Sequence, residues 1–254
     1  MKFILPTIFL LTLYSCLTNT KQENTIIIAE KNENFYHSID KHFNFIDSVN
    51  KTDPELIEGE NLKLAKTINS FKTDVFNLSD TFNYDGLYIV KSSDKKLCLI
   101  SWDTRMGGTM IEFATMALFQ TLNGETISKL LIDSNENQIS NTLMHYDNLY
   151  CIKEGDQKFY IAHGFGQGST ILAWQELRAF QILGNKINTP LVFPDRKPNL
   201  FVEFDLQKLN ERKIPQILVL DSGKRISLPV SNDEEGFSGN YQTLVFKNGF
   251  YKVN

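Results

Sequence analysis

The sequence predicts a mainly β (α+β) protein: a helical region over residues 33–75, then an antiparallel β-rich domain over residues 82–254. Three observations predict it. Aromatic side chains are abundant, with 19 Phe and 9 Tyr, which suits pleated, well-buried sheets. From about residue 82 short apolar runs alternate with turn signals. A strand–turn–strand segment then recurs 62 residues further on.

The chain opens on MKFILPTIFLLTLYSC. Lys2 supplies a positive start, residues 3–13 are almost wholly apolar, and Ser15 stands before Cys16. This is an export signal, too short to remain as a membrane span. No later stretch approaches 18 consecutive apolar residues. The segment Leu13-Tyr14-Ser15-Cys16 resembles the lipobox of bacterial lipoproteins. That resemblance implies removal of residues 1–15 and a new N-terminus at Cys16, acylated (palmitate among the chains) on sulfur and amine. Two or more chains make attachment stable. The alternative is a plain secretory signal followed by an incidental cysteine. Residues 16–32, polar over LTNTKQENT at 17–25, read as a tether. Leu17-Thr18-Asn19 carries no acidic residue, which by resemblance to lipoprotein sorting rules points to the outer membrane of a bacterial envelope.

In the helical region, Phe35, Ile39, Phe43, Ile46 and Val49 recur every three or four residues and share one face. Asp53-Pro54 offers an N-cap followed by proline at the first helical position. Leu62, Ala65, Ile68 and Phe71 continue at helical spacing, with Gly59 a candidate break or kink. Both apolar faces need a partner, and the domain that follows is the nearest one.

In the β-rich domain, residues 84–99 (YDGLYIVKSSDKKLCL) match residues 146–161 (YDNLYCIKEGDQKFYI) at 7 of 16 positions without a gap. One residue later in register, Thr109 aligns with Thr170, Phe119-Gln120 with Phe180-Gln181, and Leu122 with Leu183. The single gap falls in a loop, where indels belong. The repeat units span about 84–124 and 146–185. Each reads as strand, tight turn, strand, Gly-rich loop and long apolar segment. The long segments 109–122 and 170–183 fit either a helix closed by Gly124 or Gly184 or a strand buried on both faces; aromatic density favours the strand. Such a unit resembles a propeller blade, though two clear copies and one degenerate set over 199–254 are too few for an ordinary ring. Ser222-Gly223 and Asn248-Gly249 mark further hairpins.

With Cys16 lipidated, Cys98 and Cys151 remain. If the first turn centres on Ser93-Asp94, Ile89 stands opposite Cys98, and Cys151 aligns with Ile89; both sulfurs then point to the same face of their units. Front-to-back stacking keeps them apart, and face-to-face packing brings them together. Both outcomes are open from sequence.

Formal net charge is -4 and becomes about -5 without Lys2, with no basic run, so nucleic acid is not an expected partner. No Walker loop, HExxH, CxxC or GxSxG is present, and no cofactor or metal is expected. His37 and His42, five apart, are off-register for a shared metal. Catalytic residues are not identified. The best ligand-binding candidates lie in two equivalent Gly-rich loops: Trp102, Asp103 and Arg105 in loop one (101–108), His163 and Gln167 in loop two (163–169). Trp102 would stack on a sugar or peptide while Asp103 and Arg105 hydrogen-bond it; the plainer reading makes Asp103–Arg105 a local ion pair. Glu112, Glu176 and Arg178 sit in the long apolar segments, and Glu176–Arg178 reads more simply as a pair. Trp174 reads as core, and Ser169 lacks a base.

Ser101-Trp102-Asp103-Thr104 followed by Gly107-Gly108-Thr109-Met110 is similar to a SWDT…GGTM motif of uncharacterised bacterial envelope lipoproteins. The likeness runs loosely over residues 84–254, implies no catalytic residue, and weakens in the second unit, which reads HGFGQGST. Together these features lead to the expectation of a lipid-anchored envelope protein. It would be a non-enzymatic binding or scaffolding module, with an envelope protein or glycan as ligand. The alternative is an envelope hydrolase acting on glycan or peptide, with Asp103, Glu112 or Glu176 as acid/base.

Overall fold

The structure, a computed structural model, describes residues 30, 33–49, 53–78, 84–108, 110–131, 144–209, 214–231 and 236–254. The signal at 1–15, the lipidation of Cys16, nearly all of the tether and Thr109 lie outside the described residues. Helix α1 covers residues 33–48 and α2 covers Pro54–Ser70. Asp53 caps α2 by accepting the Leu56 N–H, with proline next in line, so the sequence signal holds. Gly59 does not interrupt α2: the space where its side chain would be is open and the helix runs through it. No described helix is long and apolar enough to cross a membrane.

Three antiparallel sheets follow, and each is built around a four-stranded meander. The first runs β1(Leu87–Lys91), β2(Leu97–Asp103), β3(Phe113–Gln120), β4(Thr126–Leu131). The second runs β5(His145–Glu154), β6(Gln157–Gln167), β7(Leu172–Leu183), β8(Lys186–Asn188), with β9(Asn199–Asp205) also pairing with β7. The third runs β10(Leu218–Leu220), β11(Arg225–Pro229), β12(Tyr241–Lys247), β13(Phe250–Val253). Both long apolar segments are therefore strands, β3 and β7. Neither first nor second alternation set of β3 is polar because both faces of that sheet are covered.

Alternation along the strands sorts the core into three layers. Cys98, Ile100, Trp102, Met116 and Leu118 face the helices and meet Phe35, Ile39, Leu64 and Ile68. Leu97, Leu99, Ala117 and Phe119 face the second sheet and meet Tyr146, Tyr160, Trp174 and Phe180. The second sheet turns Ile152, Phe159, Ile161 and Leu177 toward Ile226, Leu244, Phe246 and Tyr251 of the third. The order is helices, first sheet, second sheet, third sheet, and among the described residues no further layer covers the outward face of the third sheet. Nothing among the described strands joins the sheets into a ring.

The duplicated units stack front to back. Cys98 belongs to the helix-facing layer and Cys151 to the layer between the first two sheets, so the first sheet lies between them and they are not bridged to each other. Burial, with Asp94 beside it, pushes the Cys151 thiol up to about 11 and keeps it protonated. The expected register needs a correction. Cys98 stands opposite Lys91, and Ile89 opposite Ile100, because the first hairpin carries a four-residue loop with Lys95 left-handed. The second closes in the two-residue turn Gly155-Asp156. The shift is two residues, so side chains keep their faces.

Polar clasps fasten successive layers. Asp94, in the turn of the first unit, accepts Lys158 Nζ at 2.7 Å and the Tyr160 hydroxyl at 3.2 Å from the second. Glu154, at the turn of the second unit, accepts the backbone N–H groups of Asn248 and Gly249 from the third sheet. Each unit thus holds the next through a carboxylate at its first hairpin.

Candidate functional site

Loop one sits where β2 leaves the first sheet against the two helices. Trp102 is fully buried there; its indole N–H donates to Asn61 Oδ1 at 2.9 Å, and the Asn61 amide donates to the carbonyls of Thr104 and Ile57, each at 2.9 Å. The ring expected to stack on a ligand is instead the joint between α2 and the first sheet. Its burial requires α2 to dock on the sheet, a long-range event that the motif itself does not announce.

Asp103 accepts the Arg105 backbone N–H at 2.8 Å, and its other oxygen pairs with Arg105 Nη1. Arg105 Nε donates to Asp47 of α1 at 3.1 Å. One guanidinium thus spans two carboxylates on different elements. Burial works against its charge, but Asp103 and Asp47 outweigh that and hold it protonated. A cleft of about 310 Å³ lies beside it, lined by Asp47, Ile57, Asp103, Arg105, Gly107 and Ile111 among others. No residue of loop two lines that cleft.

Loop two is built into the second sheet. His163 is buried, its Nε2 3.2 Å from Gln175 Oε1; Gln175 Oε1 also accepts the Ile217 N–H and its amide donates to the Pro215 carbonyl. His163 therefore belongs to the joint that leads the chain into the third sheet. Gln167 donates to the Ser169 carbonyl at 3.0 Å, while the Ser169 hydroxyl accepts from Ile171 and Leu172, which closes a local turn. Trp174 packs over Gly168, where a Cβ would stand 2.5 Å from the ring.

The other acidic candidates are spread over separate elements. Glu176 accepts Arg178 Nε at 2.7 Å. The Glu112 carbonyl accepts both the backbone N–H and the hydroxyl of Thr104. His42 bridges the two helices: its Nδ1 lies 2.7 Å from Glu60 Oε1 and its Nε2 2.7 Å from the Thr67 hydroxyl. Burial would raise Glu60, but hydrogen bonds from Lys63 and His42 bring it below the usual carboxylate range. No group of three or more metal-ligating side chains occurs among the described residues.

Sequence reasoning missed a polar–aromatic corner between the first and second sheets. The His145 ring stacks on Tyr88 with centroids 3.7 Å apart and leans on Phe113 at 5.1 Å. Burial drops its pKa to about 4, and its Nδ1 is enclosed with no hydrogen-bond partner among the described residues. Asp147 follows at a β-bulge, where the ladder skips between Tyr146 and Asn148 and re-aims the side chain. Surrounding protein raises the Asp147 carboxyl and lowers His163, and attraction between the two offsets part of each shift. The only sequence signal was that Tyr84-Asp85 and Tyr146-Asp147 are repeated.

The chain matches no protein family, no curated protein and no solved structure. Asp103 and Glu176 each sit against a guanidinium, and His163 and Glu176 are displayed on opposite faces, since Gly164 pairs with Glu176 and the neighbouring His163 with Leu177.

The His145 pKa makes a pH prediction. Its folded value lies below the unfolded value of 6.5, so between about 6.5 and 4 the unfolded chain binds more protons and stability falls as pH falls. After discounting for partial solvent access, about 2 kcal/mol is lost across that window. Denaturant midpoints at pH 7.5 and pH 4.5 check it: His145→Phe, which keeps the stack on Tyr88, flattens this part of the slope.

Proposed function

We propose that this chain is a lipid-anchored protein of the bacterial envelope that works as a binding or scaffolding module and not as a catalyst. The observation that carries the reading is the engagement of two of the three candidate acid/base carboxylates by neighbouring guanidinium groups, Asp103 by Arg105 and Glu176 by Arg178. A hydrolase needs two convergent titratable groups in one cleft. Asp103 and Glu176 lie on separate strands of different sheets, each against its own arginine. A layered stack with helices at one end and, among the described residues, an uncovered sheet face at the other suits a part that holds a ligand or partner away from a membrane. The lipobox-like Leu13-Tyr14-Ser15-Cys16 supports the anchor.

Metabolic labelling with a palmitate analogue tests the anchor. The full chain is expected to take up label and sediment with membranes, and Cys16→Ser to do neither. An unlabelled wild-type chain recovered wholly in the soluble fraction would overturn lipid anchoring.

A further inference from the structure

The chain carries two Asn-Gly pairs, Asn123-Gly124 between β3 and β4 and Asn248-Gly249 between β12 and β13. Their glycine N–H groups are held differently. Gly124 donates to the Thr121 carbonyl of its own turn at 3.0 Å. Gly249 donates to the Glu154 carboxylate of the second sheet at 2.5 Å, and the Asn248 N–H donates to the other oxygen of that carboxylate at 2.9 Å. One glutamate thus holds two successive N–H groups of the last hairpin.

The backbone explains why Asn-Gly stands at this turn. Lys247 pairs with Phe250, which leaves two residues to reverse the chain, and Asn248 and Gly249 are both left-handed, with φ 55° and 81°. The same dipeptide is chemically vulnerable. The nitrogen of the following residue attacks the asparagine side-chain amide, and glycine has no Cβ to shield that nitrogen. Here the approach is open. No atom lies within 4 Å of where a Gly249 Cβ would stand, Asn248 is exposed, and its side-chain amide has no hydrogen-bond partner among the described residues. What stands in the way is the Glu154 carboxylate. To attack, the Gly249 nitrogen has to give up its proton, and the nitrogen anion left behind would face a carboxylate. A charge-assisted hydrogen bond holds that proton, and like-charge repulsion disfavours its loss. Gly124, with a neutral carbonyl as its acceptor, has no such guard.

We propose that Asn248 is a latent deamidation site gated by the Glu154 clasp, and that its reaction opens the clasp irreversibly. In the step, the Gly249 nitrogen bonds to the Asn248 side-chain carbonyl carbon and the amide carbon–nitrogen bond breaks. The amide nitrogen leaves with the Gly249 proton as ammonia. Water then opens the cyclic imide at either carbonyl and gives aspartate or, with the backbone rerouted through the side chain, isoaspartate. Either product sets a second carboxylate beside Glu154, and isoaspartate also lengthens a turn built for two residues. The last hairpin then loses its hold on the second sheet. Neither the lipid anchor nor a bound ligand takes part.

The test incubates the full chain in mildly alkaline buffer and follows both Asn-Gly sites by peptide mass spectrometry, with aspartate and isoaspartate forms separated by chromatography. Asn248 in the folded wild type is expected to react about tenfold more slowly than in the same chain held unfolded in urea. Glu154→Gln keeps the shape and removes the charge. It is expected to recover most of that factor at Asn248 while Asn123 keeps its wild-type rate. Equal rates at Asn248 in folded and unfolded wild type would overturn the gate. So would a rise at both sites alike in Glu154→Gln, which assigns the effect to general loosening. An unchanged or slower rate at Asn248 in that variant would also overturn it, by making the carboxylate a bystander or a base. The product is tested on aged Asn123→Ser chain sorted by charge. Hydrogen exchange over residues 241–253 is expected about threefold faster than in fresh chain, with the helices unchanged. Exchange as slow as in fresh chain would mean a closed clasp and overturn its opening by the reaction.

Discussion

Trp102→Ala is expected to lower the folding free energy by about 3–5 kcal/mol and the thermal midpoint by roughly 10 °C. The indole is fully buried between α2 and the first sheet, and its loss removes both the core volume and the hydrogen bond to Asn61. The Asn61 carbonyl oxygen would then be left without its donor in the interior, which adds to the cavity cost. Trp102→Phe recovers much of the packing but not the hydrogen bond, and is expected to fall between the two. A Trp102→Ala chain that melts as wild type while losing a ligand would return this residue to the binding role its motif suggests.

The second large effect is expected at Asp94. Burial alone would raise its carboxyl, but the hydrogen bond from Lys158, joined by the Ser92 hydroxyl and the Lys96 N–H, brings it below the usual carboxylate range. A depressed folded pKa contributes stability that is present above the unfolded value near 4 and lost as pH falls through the folded one. Asp94→Ala also strips partners from Lys158 and Tyr160. With Lys158 partly solvated, the loss is expected at about 2 kcal/mol at pH 7, most of it from the hydrogen bonds of Asp94 to Ser92 and Lys96 and from the Tyr160 hydroxyl. Parallel denaturation at pH 7 and pH 3 checks it: the gap between wild type and variant narrows at the lower pH. A gap of the same size at both would place the Asp94 contribution in packing and not in charge.

Asp94 and Lys158 also illustrate what the sequence made legible. Both sit at positions repeated between the two units, as do Tyr84 and Tyr146, so the duplication marked the residues but not the clasp they form across the layers. Helical spacing located α1 and α2, and Asn248-Gly249 located the last hairpin, because these are local preferences. The register of the first hairpin was misplaced by two residues because Ser92–Leu97 closes a four-residue loop through a left-handed Lys95, a conformation with no glycine to mark it. The site was the least legible part. Trp102, His163 and Gln175 take their roles from α2 docking on β2 and from the Pro215–Ile217 segment crossing β7, and contacts between residues 40 or more apart leave no periodicity to read.

Front-to-back stacking is the claim on which the layers, the clasps and the exposed third face all depend, and Cys98 and Cys151 report on it directly. The measurement is alkylation of the full chain unfolded without reductant after air oxidation, followed by peptide mass spectrometry. With the first sheet between the two sulfurs, the chain is expected to yield separate alkylated peptides for Cys98 and Cys151. A disulfide-linked Cys98–Cys151 peptide would need their Cα atoms within about 7 Å. Finding it would contradict the stack.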